Sequence, residues 1–264
     1  MSKLQRIAMA VEYSGHNYNG WQIQPHSPSV QAVVETAVSK VADEAVHSYC
    51  AGRTDTGVHG LGQVIHFDTQ AVREERAWVL GSNANLPKDV AVRWARVVDD
   101  EFHARFSALT RRYRYIILNR KVRPAINANN VSWDYRPLDE MLMRKAATHL
   151  IGEHDFSSYR ALACQAKSPV RDIRTLEITR HGDLISIDIE ANGFLHHMVR
   201  NIAGVLMAIG AGEQPVTWSK TVLDYRDRTL GGVTAPPHGL YLTAVSYPDK
   251  YQFPRPEIHT LYGV

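Results

Sequence analysis

The hydrophobic and polar positions divide the first half of the chain into short strands and helices with one apolar face. Arg6 to Tyr13 is apolar and nearly continuous, the pattern of a strand buried on both faces. Val30, Val33, Val34, Ala37, Val38 and Val41 then recur at helical spacing. Ser27 and Pro28 just before them predict the helix start, with serine as cap and proline in the first turn. Valine is a mediocre helix former, so this helix needs a sheet to pack against. Val46 to Cys50 and Val64 to Phe67 read as short strands, the second inside an alternating stretch from Gln63 to Asp68. Glu74 to Leu80 predicts a helix that runs into a loop at Asn83-Ala84-Asn85-Leu86-Pro87. Val90 to Val98 alternates as another strand.

Phe102 to Phe106 reads as a turn handing over to the second half. There, Arg112 to Asn119 is a strand with Tyr113, Tyr115 and Ile117 on one face and Arg112 and Arg114 on the other. Asp139 is placed to cap a helix to Leu150, with Leu138, Met141, Leu142, Ala146 and Leu150 on one face and Gly152 as its stop. Asp155 to Arg171 is a long loop carrying Tyr159, Arg160, Lys167 and Arg171, and loops of that length are usually functional. Arg174 to Arg180 and Leu184 to Glu190 predict a hairpin about His181-Gly182-Asp183. Leu195 to Ile209 predicts a helix burying Met198, Ile202, Val205, Leu206 and Ile209; a further helix starts at Thr217, and Leu240 to Val245 is the last strand. The tail rich in proline and tyrosine has no clear element. Both halves share the order strand, helix, strand, strand, helix, strand, which predicts an α+β fold of two ferredoxin-like (RRM-like) units, 1–106 and 107–264. Their antiparallel sheets are expected to join side by side into one central sheet, with the active cleft between the units.

Composition narrows the partners. Apolar content of 44% supplies a core for the 264 residues, and 22% charged residues is average for a soluble domain. The net charge of +3 is weak evidence for a polyanionic partner. Two distant cysteines, Cys50 and Cys164, form no Cys-x-x-Cys pair, so neither a structural zinc site nor a disulfide framework is expected. The N-terminus lacks the pattern of a signal peptide, and the longest apolar segment, Ile202 to Ala211, is about half of the roughly 20 residues a membrane span needs. The expected compartment is the cytoplasm.

The candidate chemistry centres on Ala51-Gly52-Arg53-Thr54-Asp55-Thr56-Gly57-Val58-His59-Gly60. Glycines on both sides of Asp55 allow a tight loop and a close approach by another chain or a ligand. Asp55 at its tip can serve as a turn residue, a general base or a nucleophile. Arg53 beside it favours the charged form of a carboxylate. His59 reads as a hydrogen-bonded structural residue. Between Arg111 and Arg123 stand six basic residues and no acids, interleaved with Tyr113 and Tyr115. That run reads either as a charge-guarded strand edge or as phosphate contacts beside an aromatic face for a base.

Gly52-Arg53-Thr54-Asp55-Thr56-Gly57-Val58-His59 resembles the signature of the tRNA pseudouridine synthase A family. Further segments match in order: Tyr13-Ser-Gly-His-Asn-Tyr-Asn-Gly-Trp21-Gln22, Arg111-Arg112-Tyr113-Arg114-Tyr115, Cys164 to Arg171, Asn192 to Asn201, and Pro237-His238-Gly239-Leu240. The resemblance implies isomerisation of uridine to pseudouridine on the 3′ side of the anticodon stem-loop of tRNA. It implies a flipped-out uridine, a homodimer, no metal and no organic cofactor. It also implies that Asp55 is the catalytic carboxylate, Arg200 its cationic partner, and Tyr113 the residue that stacks on the uracil and acts as final base. Leu240 would pack on the other side of the base, and Arg53 would hold a phosphate or fill the space the base leaves. Arg112, Arg114, Arg160, Lys167 and Arg171 are the remaining candidates for RNA contact.

Two rivals remain. One is an RNA-binding module without catalysis, since sheets with exposed aromatics and basic edges bind RNA. The other is an aspartic protease, from the triplet Asp55-Thr56-Gly57. Such an enzyme needs two carboxylates sharing a proton, and the chain has no second triplet.

Overall fold

The computed structural model describes residues 4–254. These group into two compact units: residues 4–109 with 242–254, and residues 110–241. The chain thus returns to its first unit at the end, where the sequence offered one cut after Phe106.

In the first unit, β1 (Gln5–Tyr13) is followed by α1 (Val30–Ala42), β2 (Tyr49–Cys50), β3 (His59–Thr69), α2 (Glu75–Asn85) and β4 (Val90–Val98). The strands lie in the order β4, β1, β3, β2, all antiparallel. This is the ferredoxin-like arrangement that the element order predicted. The helix-side core joins Ile7, Met9 and Val11 of β1, Val30, Val34 and Val38 of α1, Ile65 and Phe67 of β3, and Trp78 of α2. Trp78 meets Phe67 edge-on at 5.4 Å.

Several boundaries differ from the sequence reading, and the strand expected over Val46 to Cys50 is only Tyr49–Cys50. The α1 cap is Ser29, whose hydroxyl accepts from Ala32 N at 3.4 Å; Ser27 sits earlier, in a bridge with Gln24. Helix α2 runs on through Asn83 to Asn85, because Asn83 docks its amide on both backbone groups of Val92 (2.7 and 2.9 Å). Strand β3 begins at His59 because pairing with β1 continues past a bulge to Tyr13 and Gly60.

The other face of this sheet is covered by the end of the chain. Ala8, Val64, Phe102 and Ala104 pack with Trp94, Tyr247, Tyr251 and Phe253. Phe253 stacks on Trp94 at 4.8 Å, and the Tyr247 hydroxyl donates to Ala104 O at 2.7 Å. The tail that showed no element therefore has a place as far as residue 254; the rest of it lies outside the described residues. His66 is buried on this face and accepts at Nδ1 from Ala104 N (3.1 Å). Burial, then the charges of His103 and Arg6, lower its pKa to about 4. The unfolded chain therefore binds the extra proton first as pH falls. Relative to neutral pH, stability should drop between pH about 6.5 and pH about 4, by up to about 3 kcal/mol. Denaturant titrations across that range test this, and His66→Asn, which keeps an acceptor near Nδ1 but has no proton to gain, should flatten the slope.

The second unit contains β5 (Thr110–Asn119), β6 (Ser132–Asp134), α3 (Glu140–Ala147), β7 (Gly152–Asp155), β8 (Val170–His181), β9 (Leu184–Ala191), α4 (Met198–Gly210) and α5 (Trp218–Tyr225). Strands β5, β9, β8 and β7 are antiparallel in that order, and β6 pairs with β5 in parallel. The last strand, β10 (Leu240–Ser246), starts in this unit and ends in the first. Asp139 caps α3 as predicted, accepting from Met141 N and Leu142 N at 2.8 and 3.1 Å. The buried face of α3 is Met143, Ala146 and Ala147, whereas Met141 is exposed, its sulfur taken by Arg144. Helix α4 starts three residues later than Leu195, because His197 adopts a left-handed backbone (φ 62°) and breaks the helical run. Among the described residues, no helix is long and apolar enough to cross a membrane.

Candidate active site

Asp55 sits in a loop between β2 and β3, half-buried, with Arg53 and Thr56 exposed on either side. The loop is fixed from several directions within its own unit. Val58 N closes it onto Asp55 O at 3.1 Å. The Tyr13 and Thr54 hydroxyls share a buried hydrogen bond of 2.8 Å. The Gln63 amide brackets Gly52, donating to its carbonyl at 2.5 Å and accepting from its N–H at 3.4 Å.

A second loop, residues 14–21, braces it. Trp21 N donates to Thr54 O (3.0 Å), and Gly57 N donates to Tyr18 O (3.4 Å). Gly15 N donates to Nδ1 of His59 (3.1 Å), which gives that buried histidine the structural role the sequence suggested. This loop is held in turn by Asp89, which accepts from the Tyr18 hydroxyl (2.8 Å) and the Asn17 amide (2.9 Å). Burial and this carboxylate raise the Tyr18 pKa, so the phenol stays a donor. On its far side, Gly20 O and Trp21 O accept from the first amides of α1, Val30 N (3.2 Å) and Gln31 N (2.9 Å). The Asp55 loop is thus tied through one intermediate loop to a helix end and to the start of β4. Sequence reasoning singled out this second loop but missed Gln63 and Asp89, which carry no local motif. The Cys50 thiol just before the loop is pushed up to about 11 by burial, so it stays protonated at neutral pH.

Tyr113, Arg200 and Leu240 belong to the second unit. Tyr113 is 8% exposed and meets Phe194 edge-on at 5.1 Å. Phe194 was not singled out from sequence, although it lies in the matched Asn192 to Asn201 segment. Arg200 stands in the first turn of α4 and donates from Nε to Ala235 O (2.8 Å), while Ala235 N donates back to Arg200 O (3.1 Å). The segment after Ala235 leads to Leu240, buried at the start of β10. Tyr115 anchors that segment, donating to Pro236 O at 2.9 Å and meeting the Ser132 hydroxyl at 2.7 Å. It is fully buried, a core residue rather than a second aromatic for the substrate.

The arginines of β5 sort differently from the sequence reading. Arg114 straddles Asp188 of β9 (3.0–3.1 Å), with both side chains about nine-tenths buried, and Arg112 reaches the same carboxylate at 3.7 Å. Arg114 therefore serves the sheet and has little surface to offer a phosphate; Arg112 is about one-third exposed. Asp188→Ala would leave the Arg114 charge buried, and the expected cost is about 3–5 kcal/mol. Urea unfolding of the variant measures it. Arg171 is half-buried and donates to Ser168 O (3.0 Å), Arg160 is half-buried, and Lys167 is exposed.

A profile of the tRNA pseudouridine synthase family matches residues 9–107 and 146–248. The chain belongs to this family. Relatives named tRNA pseudouridine synthase A agree over nearly the full length. The one from Pseudomonas aeruginosa is 58% identical over 252 residues, covering 95% of this chain and 88% of its own. That from Nitrosococcus oceani is 59% identical over 250 residues, covering 95% and 96%. That from Salmonella paratyphi B is 52% identical over 261 residues, covering 99% and 97%. Among solved structures, an archaeal box H/ACA sRNP Nop10-Cbf5 complex aligns at 12% identity over 76% of this chain and 44% of that one, with a TM-score of 0.32, too low to bear on the fold. Within the family match lie the Asp55 loop, its bracing loop and Asp89 in the first segment, and Arg200 and Leu240 in the second. Tyr113 falls in the interval between the two segments.

Proposed function

We propose that this chain isomerises uridine to pseudouridine in tRNA, on the 3′ side of the anticodon stem-loop, with Asp55 as the catalytic carboxylate. The observation that carries the reading is the family match spread over both units, with relatives at 52–59% identity. The Asp55 loop supports it: the main chain around the carboxylate is braced from two sides, the preorganisation that a reacting group requires.

The chemistry follows from the bonds that change. The N1–C1′ bond of uridine breaks, a C5–C1′ bond forms, the C5 proton is lost and N1 gains one. No electrons are gained or lost and no group is donated. By a glycal route, Asp55 takes a proton from ribose C2′ as the uracil leaves with the bonding pair. The detached base turns, C5 bonds to C1′, and Asp55 returns the proton to C2′. A base then removes the C5 proton, a role assigned to Tyr113. Arg200 supplies the cation that orients Asp55, and Leu240 and Arg53 hold the extruded nucleotide. Flipping the base out of its stack costs a few kcal/mol, drawn from RNA contacts. The working form is a cytoplasmic homodimer, which would extend the modest basic surface of one chain.

Unmodified tRNA tritiated at uracil C5 tests the reading. Purified protein should release tritium to water and leave pseudouridine in the anticodon arm. Binding without release would overturn it in favour of a non-catalytic RNA-binding module.

A further inference from the structure

Away from the Asp55 loop, the first unit carries aromatic rings at its surface that neither its fold nor the reaction uses. Tyr49 is 58% exposed and Phe106 is 76% exposed. They are not isolated. Tyr49 stacks on His66 at 5.1 Å and lies 5.5 Å from His103. His103 lies 4.5 Å from His66 and 4.4 Å from Phe106. The Arg105 guanidinium sits over the Phe106 ring at 5.6 Å. Backbone bonds fix the arrangement, since the amides of Arg105 and Phe106 both donate to His103 Nδ1 (3.1 and 3.4 Å). Burial and the charges of Arg6 and Arg105 lower the pKa of His103, so its ring is a neutral stacking surface at pH 7. The platform adjoins the Asp55 loop. Tyr49 precedes Cys50 in the strand that leads into it, and Arg53 and Arg105 both stand close enough for their charges to act on the Cys50 thiol.

We propose that Tyr49, His103 and Phe106, flanked by Arg53 and Arg105, form a platform on which an unpaired nucleotide of the RNA substrate stacks. The proposal rests on the RNA reading above. Every base has a π-face, so exposed rings take up a splayed-out base with little regard to sequence, and neighbouring arginines meet its phosphates. The charge next to the rings favours a nucleic acid over a protein partner: residues 49–53 and 102–109 contain two arginines and no acid, and of the three acids at 99–101 just before them Asp99 and Glu101 are paired with Lys250. The position fits a nucleotide near the extruded uridine, because the strand bearing Tyr49 runs straight into the Asp55 loop.

The test uses the full chain carrying Asp55→Asn, to stop turnover, and an unmodified tRNA transcript titrated at several salt concentrations. Adding Phe106→Ala or Tyr49→Ala should weaken binding by roughly 10-fold or more, with the slope of log affinity against log salt unchanged. Phe106→Tyr should restore it. Arg105→Ala should instead lower that slope by about one. Unchanged affinity in both alanine variants would overturn the platform while leaving the enzyme reading intact if wild type still releases tritium. Weaker binding accompanied by a shift to monomer in light scattering would assign the rings to a contact between copies of the chain, and overturn it too. Absence of both tRNA binding and tritium release would take the enzyme reading down with it. Circular dichroism checks folding; the exposure of both rings makes unfolding an unexpected outcome.

Discussion

Asparagine in place of Asp55 is expected to abolish turnover, by roughly 10,000-fold or more, while tRNA affinity changes little. The reason lies in what holds the loop. Among its anchors are the Thr54 hydroxyl on Tyr13, Thr54 O on Trp21 N, Gly57 N on Tyr18 O, and Gly52 on Gln63. All run through main chain or through a neighbouring side chain, and an amide of the same shape as the carboxylate leaves each of them in place. What asparagine removes is the negative charge and the ability to take a proton. Asp55→Glu should lose less, about 100-fold, because it keeps the carboxylate but an extra methylene moves it by about 1 Å from a braced position. Tritium release under single-turnover conditions, with affinity measured on the same preparations, separates the two quantities. Residual turnover of the asparagine variant within tenfold of wild type would remove Asp55 from the chemistry.

The ferredoxin-like order of the first unit was legible because its strands and helices differ in hydrophobic period, and local period is what a sequence displays. Val90 to Val98 has the bounds that alternation gave it. The misplaced boundaries are those set by contacts distant in sequence. Asn83 reads as a loop residue, but Val92, nine positions on, holds it in the helix. Ser27 and Ser29 are equal as caps by residue type, and the backbone path through Gln24 decides between them. The same limit applies to the site. Asp55 stood out because glycines and an arginine surround it, and Tyr18 and Trp21 because they share a short loop. Gln63 and Asp89 have ordinary neighbours and reach the site only through the fold. Arg114 shows the opposite failure. A basic, tyrosine-rich strand suggests phosphate contact, but the residue facing Arg114 across the sheet is Asp188, 74 positions later.

Gly20→Ala offers the sharpest test of whether the bracing loop positions Asp55. Gly20 has φ 92°, a region that side chains disfavour, and a Cβ there would lie 2.5 Å from Thr54 O and 3.1 Å from the Asp55 carbonyl carbon. Both are backbone atoms, so no rotamer change relieves the collision. Either the bracing loop retreats, losing the Trp21 N to Thr54 O bond, or the peptide carrying Asp55 shifts. Both displace the carboxylate. The expected result is a stability loss of about 3 kcal/mol, from backbone strain and overpacking together, with kcat lower by about 100-fold. Gly212→Ala is the control. Gly212 has φ 73°, but nothing lies within 4 Å of the Cβ it would gain. That variant should lose about 1 kcal/mol through backbone strain alone and keep its turnover. Thermal unfolding and single-turnover rates on the two variants compare collision with strain. If Gly20→Ala loses stability but turns over like Gly212→Ala, the loop of residues 14–21 supports the fold only, and the position of Asp55 is set by Gln63 and the Tyr13–Thr54 pair.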